Sequence, residues 1–267
     1  MKKTILFFLL IPLFGFAQGN PITDSLNQLL LKAKPEEKAL ILCELSKLYS
    51  EENNAEKALQ LAVEAQGLSK QINSKKGETM AISRIGLAHF YLGNNEKAKE
   101  YFLQSISMFI SLKDHYNQAQ DLHNLASVYY RENDYQKSLE YFKEITSVEN
   151  INQHPTLLAE TYMDIGVNYY RLGELDSALL NYTISHKLFE KTNDKEKYRN
   201  LLNRIGVLYY AKGDYDKAVE YMLMVLAINE KTGNKVGMAT VNGNIGAVYY
   251  KNSDYEKAID HYLKAIE

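Results

Sequence analysis

Hydrogen-bonding and aromatic side chains recur at matched positions along this 267-residue chain. The carboxamide of asparagine donates and accepts hydrogen bonds, and a tyrosine ring covers apolar surface while losing little side-chain entropy. Together such groups can pair the backbone of an extended polypeptide and cover its side chains. The residues that could do so are Arg84, Asn124, Tyr130, Asp164, Tyr170, Asn200, Asn203, Arg204, Tyr210, Asn244 and Tyr250.

The sequence offers little for catalysis. Its six histidines are widely separated, and neither HExxH nor another metal-ligand spacing occurs. The glycines form no GxGxxG or GxxxxGK loop that would hold a phosphate, and no serine, histidine and aspartate are grouped as a triad. We therefore expect a non-catalytic chain with no cofactor and no metal site.

A repeat of 40 residues places the candidate residues. Tyrosine pairs recur at this step as Tyr129-Tyr130, Tyr169-Tyr170, Tyr209-Tyr210 and Tyr249-Tyr250. A column of small residues keeps the same step: Ser46, Gly86, Ala126, Gly166, Gly206 and Gly246. Such a period is typical of solenoids, in which each repeat buries its apolar face against its neighbours. The sequence predicts six repeats over residues 35–267, the last of them incomplete.

Each repeat has the pattern of two helices joined by a tight turn. In the fifth repeat, Ile205, Gly206 and Tyr209 follow the spacing of one helical face. Gly213 then supplies a left-handed residue that ends the first helix, and Asp214 caps the start of the second. The sequence therefore predicts an all-α fold.

At residues 205–221 the pattern Ile-Gly-x-x-Tyr-Tyr-x-x-Gly-Asp-Tyr-x-Lys-Ala-x-x-Tyr resembles the tetratricopeptide repeat. The resemblance implies a right-handed α-solenoid of stacked helix-turn-helix repeats, whose concave wall comes mainly from the first helix of each pair. The usual repeat has about 34 residues, so repeats of 40 residues imply longer helices.

The candidate binding residues fall on the helical stripe beside the predicted core, which implies a protein or peptide partner in the concave groove. The first tyrosine of each pair is predicted to be core, and the second to face the groove. Two alternatives stay open: the second tyrosine could pack between repeats, and the asparagines could bond neighbouring helices. Only Asn124 and Arg204 match the family's clamp for a C-terminal carboxylate, so that ligand is not expected.

The first 17 residues have the pattern of a secretory signal peptide, with Lys2 and Lys3, an apolar run and a small residue at Ala17. The run is shorter than the roughly 20 residues of a membrane-spanning helix. We expect cleavage after Ala17, a periplasmic location and a capping helix over residues 18–34.

Without the two lysines the formal charge changes from -2 to -4, and the absence of a basic block argues against nucleic acid. The single cysteine, Cys43, lies in an apolar helical stretch and is predicted to be packed.

The leader and the Lys/Asn/Tyr-rich composition are similar to exported sensor regions of Bacteroidetes signalling proteins with tetratricopeptide repeats. This resemblance implies a histidine kinase or helix-turn-helix output beyond residue 267, and membrane contact only through a segment outside this chain. The last repeat stops about five residues early and lacks a capping helix, which favours a longer protein. The alternatives are a stand-alone periplasmic scaffold for envelope protein assembly and a cytoplasmic peptide-pheromone receptor.

Overall fold

The computed structural model describes residues 21–266, so the predicted signal peptide at residues 1–17 lies outside the described part. The described residues form thirteen α-helices and one 3₁₀ helix, Ile151–Gln153. None of these helices is both long and apolar enough to cross a membrane. The α-helices are α1 (Pro21–Leu30), α2 (Pro35–Glu51), α3 (Ala55–Gln71), α4 (Lys75–Tyr91), α5 (Asn95–Leu112), α6 (His115–Arg131), α7 (Tyr135–Ile145), α8 (Pro155–Arg171), α9 (Leu175–Phe189), α10 (Lys195–Lys212), α11 (Tyr215–Thr232), α12 (Lys235–Lys251) and α13 (Tyr255–Ile266).

From α2 onward the helices form six antiparallel pairs joined by short turns. The turn after α10 shows the construction: Gly213 adopts the left-handed conformation with φ 79°, which costs a glycine no steric strain. The Asp214 side chain then accepts a hydrogen bond from the Lys217 backbone N–H at 3.2 Å and caps α11. Local residue choice therefore sets where each pair turns.

In the pairs whose first helix carries a glycine at the small-residue position, a large side chain on the second helix covers that glycine. A methyl group added at Gly166 would lie 2.5 Å from the Tyr182 ring, and one at Gly206 would lie 3.2 Å from Met222 Cγ. The small residues therefore let the two backbones approach. Full burial of one such apolar side chain contributes about 1.5–3 kcal/mol to folding.

The helices stack into two layers. Each second helix packs against the first helix of its own pair and the first helix of the next pair, and neighbouring first helices from α2 to α10 also contact one another. The first helices therefore form one wall and the second helices the other, as in a solenoid. The all-α solenoid predicted from the sequence is confirmed.

The N-terminal part of the described chain is a short amphipathic helix. Within the segment predicted to form a capping helix, residues 18–34, the structure describes α1, whose Leu26 and Leu30 pack against the core cluster that contains Leu42 and Leu45. Cys43 belongs to the same cluster and is fully buried, which confirms its predicted packing role.

The third pair departs from the regular pattern. Its second helix, α7, ends at Ile145, where the Thr146 hydroxyl donates to the Lys143 carbonyl at 2.7 Å and competes with the helical ladder. The chain then buries Val148 and passes through the 3₁₀ helix. Pro155 disfavours helical backbone in the residue before it and so separates this segment from α8. The 40-residue repeat does not predict this break.

Candidate binding groove

Three polar cavities lie along the wall of first helices. One of them, about 320 Å³, lies between α2, α4, α6 and α8. Its rim carries charged and amide groups, while two leucines and a tyrosine supply apolar surface. The lining residues are Lys47, Glu51, Arg84, Leu87, Tyr91, Gln120, His123, Asn124, Leu157 and Glu160.

Arg84 lies at the floor of this cavity and is only 5% exposed. Its Nη2 atom lies 3.7 Å from Glu44 Oε1, and its Nη1 atom donates to the Ser83 hydroxyl at 3.4 Å. Its Nε atom has no hydrogen-bond partner among the described residues. Arg84, a candidate binding residue in the sequence, is therefore largely committed to contacts inside the protein.

A buried carboxylate lies beside Arg84. Asp121 is 1% exposed and accepts hydrogen bonds from Ser83 at 2.8 Å, Ser105 at 2.5 Å and Asn124 at 3.4 Å. Burial raises the pKa of Asp121, and these donors together with the Arg84 charge oppose the rise. Asn124 therefore bonds a neighbouring group of its own helix while it lines the cavity.

A histidine and a carboxylate join α6 to α8 at the side of the cavity. His123 Nε2 lies 3.0 Å from Asp164 Oδ2. Burial alone would lower the pKa of His123, but the hydrogen bond and charge of Asp164 raise it above its ordinary value. Asp164, a candidate binding residue in the sequence, therefore has a partner inside the protein that its position in the repeat did not predict.

A second, smaller cavity of about 90 Å³ follows along the groove between α6, α7, α8 and α10. It brings together three candidate residues from different repeats, Tyr130, Asp164 and Arg204. The remaining lining residues are Ser127, Phe142, Val167 and Asn168.

Asn200 and Asn203 line a third cavity of about 290 Å³ between α10, α11 and α12. Beside them, Arg199 Nη1 donates to the buried Asn229 Oδ1 at 2.9 Å. Asn244, the candidate on α12, is half-buried and lines none of these three cavities.

The second tyrosines of the pairs differ in burial along the chain. Tyr130 and Tyr170 are half-buried and pack against the core cluster that contains Tyr182 and Ile205, whereas Tyr210 and Tyr250 are 37% and 61% exposed. Three of these rings pack at a steep angle on the tyrosine five residues later, as Tyr210 does on Tyr215 with ring centroids 5.9 Å apart. The half of the column nearer the C-terminus therefore offers the most ring surface.

Several groove residues were missed from the sequence: Lys47, Glu51, Tyr91, Gln120, Glu160 and Asn168. A signal was available for Asn168, because the positions 40 residues apart are otherwise apolar: Leu48, Ala88, Val128, Leu208 and Val248. The described residues contain no group of three or more histidines, cysteines or acidic residues arranged to hold a metal.

Solved structures with this architecture are similar over most of the chain. BtubC (BKLC) from P. vanneervenii aligns with a TM-score of 0.70 and 19% identity, covering 79% of this chain and 89% of that one. A signal transduction ATPase with a tetratricopeptide repeat sensor, from Pyrococcus horikoshii, aligns with a TM-score of 0.73 and 17% identity, covering 91% of this chain and 38% of that one. A Rap protein complexed with competence and sporulation factor aligns with a TM-score of 0.69 and 12% identity, covering 92% of this chain and 79% of that one. At these identities the likeness shows the fold alone.

No curated protein gave a significant sequence match. The family model described as tetratricopeptide repeat matches residues 78–148, 157–231 and 197–267, well over half of the chain. The helix pairs, the small-to-large packing and this match lead to one conclusion. The chain belongs to the tetratricopeptide repeat family.

Proposed function

We propose that this protein is a non-catalytic scaffold that binds a protein or peptide along the wall of first helices. The observation that carries the proposal is the row of three cavities on that wall, which spans α2 to α12. A row of this kind suits an extended chain, because successive side chains of the ligand can occupy successive cavities.

The chemistry of the wall supports a peptide over a small apolar molecule. Amide groups at Gln120, Asn124, Asn200 and Asn203 can donate to and accept from a peptide backbone. Tyr210, on the same helix as Asn203, presents an exposed rigid ring with little side-chain entropy to lose. The combination resembles surfaces that recognise polypeptides through many moderate contacts.

A finer proposal concerns the place of this scaffold in the cell. The leader-like residues 1–17 support an exported, periplasmic protein, and the architecture supports a sensory region whose output is a separate segment. Two structural neighbours add support: one is a signal transduction ATPase with a tetratricopeptide repeat sensor, and one is a Rap protein complexed with competence and sporulation factor. Expression in a Gram-negative host tests the location. Mature protein starting at Gln18 in the periplasmic fraction is expected, and full-length protein in the cytoplasm would contradict it.

Peptide selection tests the binding function. A random peptide library displayed on phage is panned on residues 18–267, and the affinity of each selected peptide is measured by calorimetry. We expect the pair Asn203→Ala with Tyr210→Ala to weaken binding about tenfold or more, because each removes contact surface in the groove. The melting temperature should change little, because both side chains are partly exposed and neither belongs to a core cluster.

The control pair is Leu180→Ala with Asn193→Ala, which removes exposed side chains on α9 and in the loop after it. It should leave binding unchanged. Equal loss in both pairs would place the peptide outside the groove, and a large fall in melting temperature would show that Asn203 or Tyr210 supports the core.

A further inference from the structure

Asn168 breaks an apolar column of the repeat. The corresponding residues 40 positions apart are leucine, alanine or valine in every other repeat, and the core tolerates all of them. Asn168 is nevertheless fully buried, at 0% exposure. A polar residue at an otherwise apolar position carries a desolvation cost that must be balanced by a partner.

The orientation of this carboxamide is fixed by one hydrogen bond. Asn168 Nδ2 donates to the Asp164 backbone carbonyl at 2.8 Å, which identifies the nitrogen. The other end, Asn168 Oδ1, has no hydrogen-bond partner among the described residues. The side chain lines the 90 Å³ cavity between α6, α8 and α10.

Two charged groups line the same cavity. Asp164 contributes a carboxylate of which one oxygen is bonded to His123. Arg204 contributes an exposed guanidinium that makes no hydrogen bond or ion pair with any described residue. The cavity therefore combines hydrogen-bond acceptors at Asn168 and Asp164 with donors at Arg204.

This combination selects among the polar groups that a peptide can offer. A ligand ammonium would be attracted to Asp164 but repelled by Arg204. A ligand carboxylate would be attracted to Arg204 but repelled by Asp164. A primary carboxamide suits both sides, because its NH₂ donates to Asn168 Oδ1 and Asp164 while its oxygen accepts from Arg204. The space equals about three waters at the roughly 30 Å³ that each occupies in the liquid, which is enough for one such group.

We infer that this cavity is a specificity subsite that receives the side-chain carboxamide of an asparagine or glutamine in the bound peptide. The inference rests on the proposed peptide-binding function. It adds to that function the kind of side chain that is preferred at one position of the bound peptide. We call this cavity the carboxamide subsite.

The test uses peptides selected from the random library on residues 18–267, with the preferred residue at each position replaced in turn. We expect one position to be enriched in glutamine or asparagine. Its replacement by glutamate, lysine or leucine should weaken binding about tenfold or more, because buried polar groups then lose their partners.

The decisive variant is Asn168→Leu, which installs the residue that the fifth repeat carries as Leu208. It should bind the glutamine and leucine peptides about equally. The control Asn200→Ala, on the same wall but outside the subsite, should keep the full preference for glutamine.

The outcomes separate the two proposals. Groove-bound peptides without a glutamine or asparagine position, or an unchanged glutamine preference in Asn168→Leu, would overturn the carboxamide subsite alone. Selected peptides that ignore the Asn203→Ala and Tyr210→Ala pair would overturn the groove itself. Thermal melting of Asn168→Leu checks the fold, and Arg204→Gln provides a second, exposed variant whose loss of glutamine preference supports the subsite.

Discussion

His123 and Asp164 join the first helices of the third and fourth repeats through a contact of 3.0 Å between Nε2 and Oδ2. The contact crosses from α6 to α8 at the wall that carries the cavities. Glu160 and Lys197, which form an ion pair at 2.7 Å, also act on the charge of His123. The contact between His123 and Asp164 therefore couples the protonation of this histidine to the packing of two repeats.

The first prediction concerns pH. The pKa of His123 is raised in the folded protein, so its protonation stabilises the fold fully below the ordinary histidine pKa of about 6.5. This contribution is lost as the pH rises through the raised value. We expect His123→Gln to lower the free energy of unfolding by about 1 kcal/mol at about pH 5.5 and by much less at about pH 8.5.

Urea denaturation at both pH values measures this difference. In the Asp164→Asn background the effect of His123→Gln should nearly vanish, since the partner charge is gone. A cost of equal size at both pH values would show that His123 contributes by packing rather than by charge.

The second prediction compares two glycines at equivalent positions. An added methyl group at Gly166 meets the Tyr182 ring at 2.5 Å, and that ring is buried in the core and has no room to shift. At Gly206 the neighbour is the flexible Met222 side chain at 3.2 Å. We expect Gly166→Ala to cost about 1–3 kcal/mol through overpacking.

Gly206→Ala should change stability by less than about 1 kcal/mol, because the better helix propensity of alanine offsets a small shift of the methionine. Thermal melting of both variants measures the difference. Equal losses would mean that backbone distance, rather than the covering side chain, limits this contact.

The third prediction divides the tyrosine pair. Tyr209 stacks on Tyr221 with ring centroids 5.6 Å apart and packs against two core clusters. Tyr210 is 37% exposed and packs on the ring of Tyr215, the first residue of α11. We expect Tyr209→Ala to cost about 2–4 kcal/mol and Tyr210→Ala less than about 1 kcal/mol, as judged by urea denaturation. A larger loss in Tyr210→Ala would contradict its assignment to the groove.

The fourth prediction concerns the buried thiol. Burial raises the pKa of Cys43 to about 12, and the Arg84 charge lowers it only in part. At about pH 8 the thiolate fraction should be roughly a thousandfold smaller than that of an exposed cysteine. Reaction with a disulfide reagent should therefore be slow in buffer and fast in urea. Rapid reaction of the folded protein would show that α2 opens locally.

The fold was predictable because equivalent turn and packing residues recur every 40 residues in six repeats. Gly213, Asp214 and the column through Gly206 specify turns and close contacts by spacing alone. The break after Ile145 was not predictable, because it depends on a single threonine that bonds the backbone and on where Val148 is buried. Single departures from a repeat are set by tertiary packing.

The candidate site was harder to read. Helical stripes place residues on a wall but do not reveal which partner each one takes. Arg84 bonds inside the protein and Asp164 meets His123 across 41 residues, and neither contact follows from the 40-residue step. Asn168 could have been found, since its column is otherwise apolar. The missing hydrogen-bond partner of its Oδ1 atom is evident only from the cavity and the hydrogen bonds around this side chain.

The central claim is that a peptide lies on the wall of first helices. The most direct measurement is site-specific photo-crosslinking of a selected peptide from a photoreactive phenylalanine at position 210 or position 180. Tyr210 lies in the last turn of the first helix α10, and Leu180 is 62% exposed on the second helix α9. We predict crosslinking from position 210 that excess unlabelled peptide suppresses, and none from position 180. Crosslinking from position 180 with none from position 210 would contradict the account.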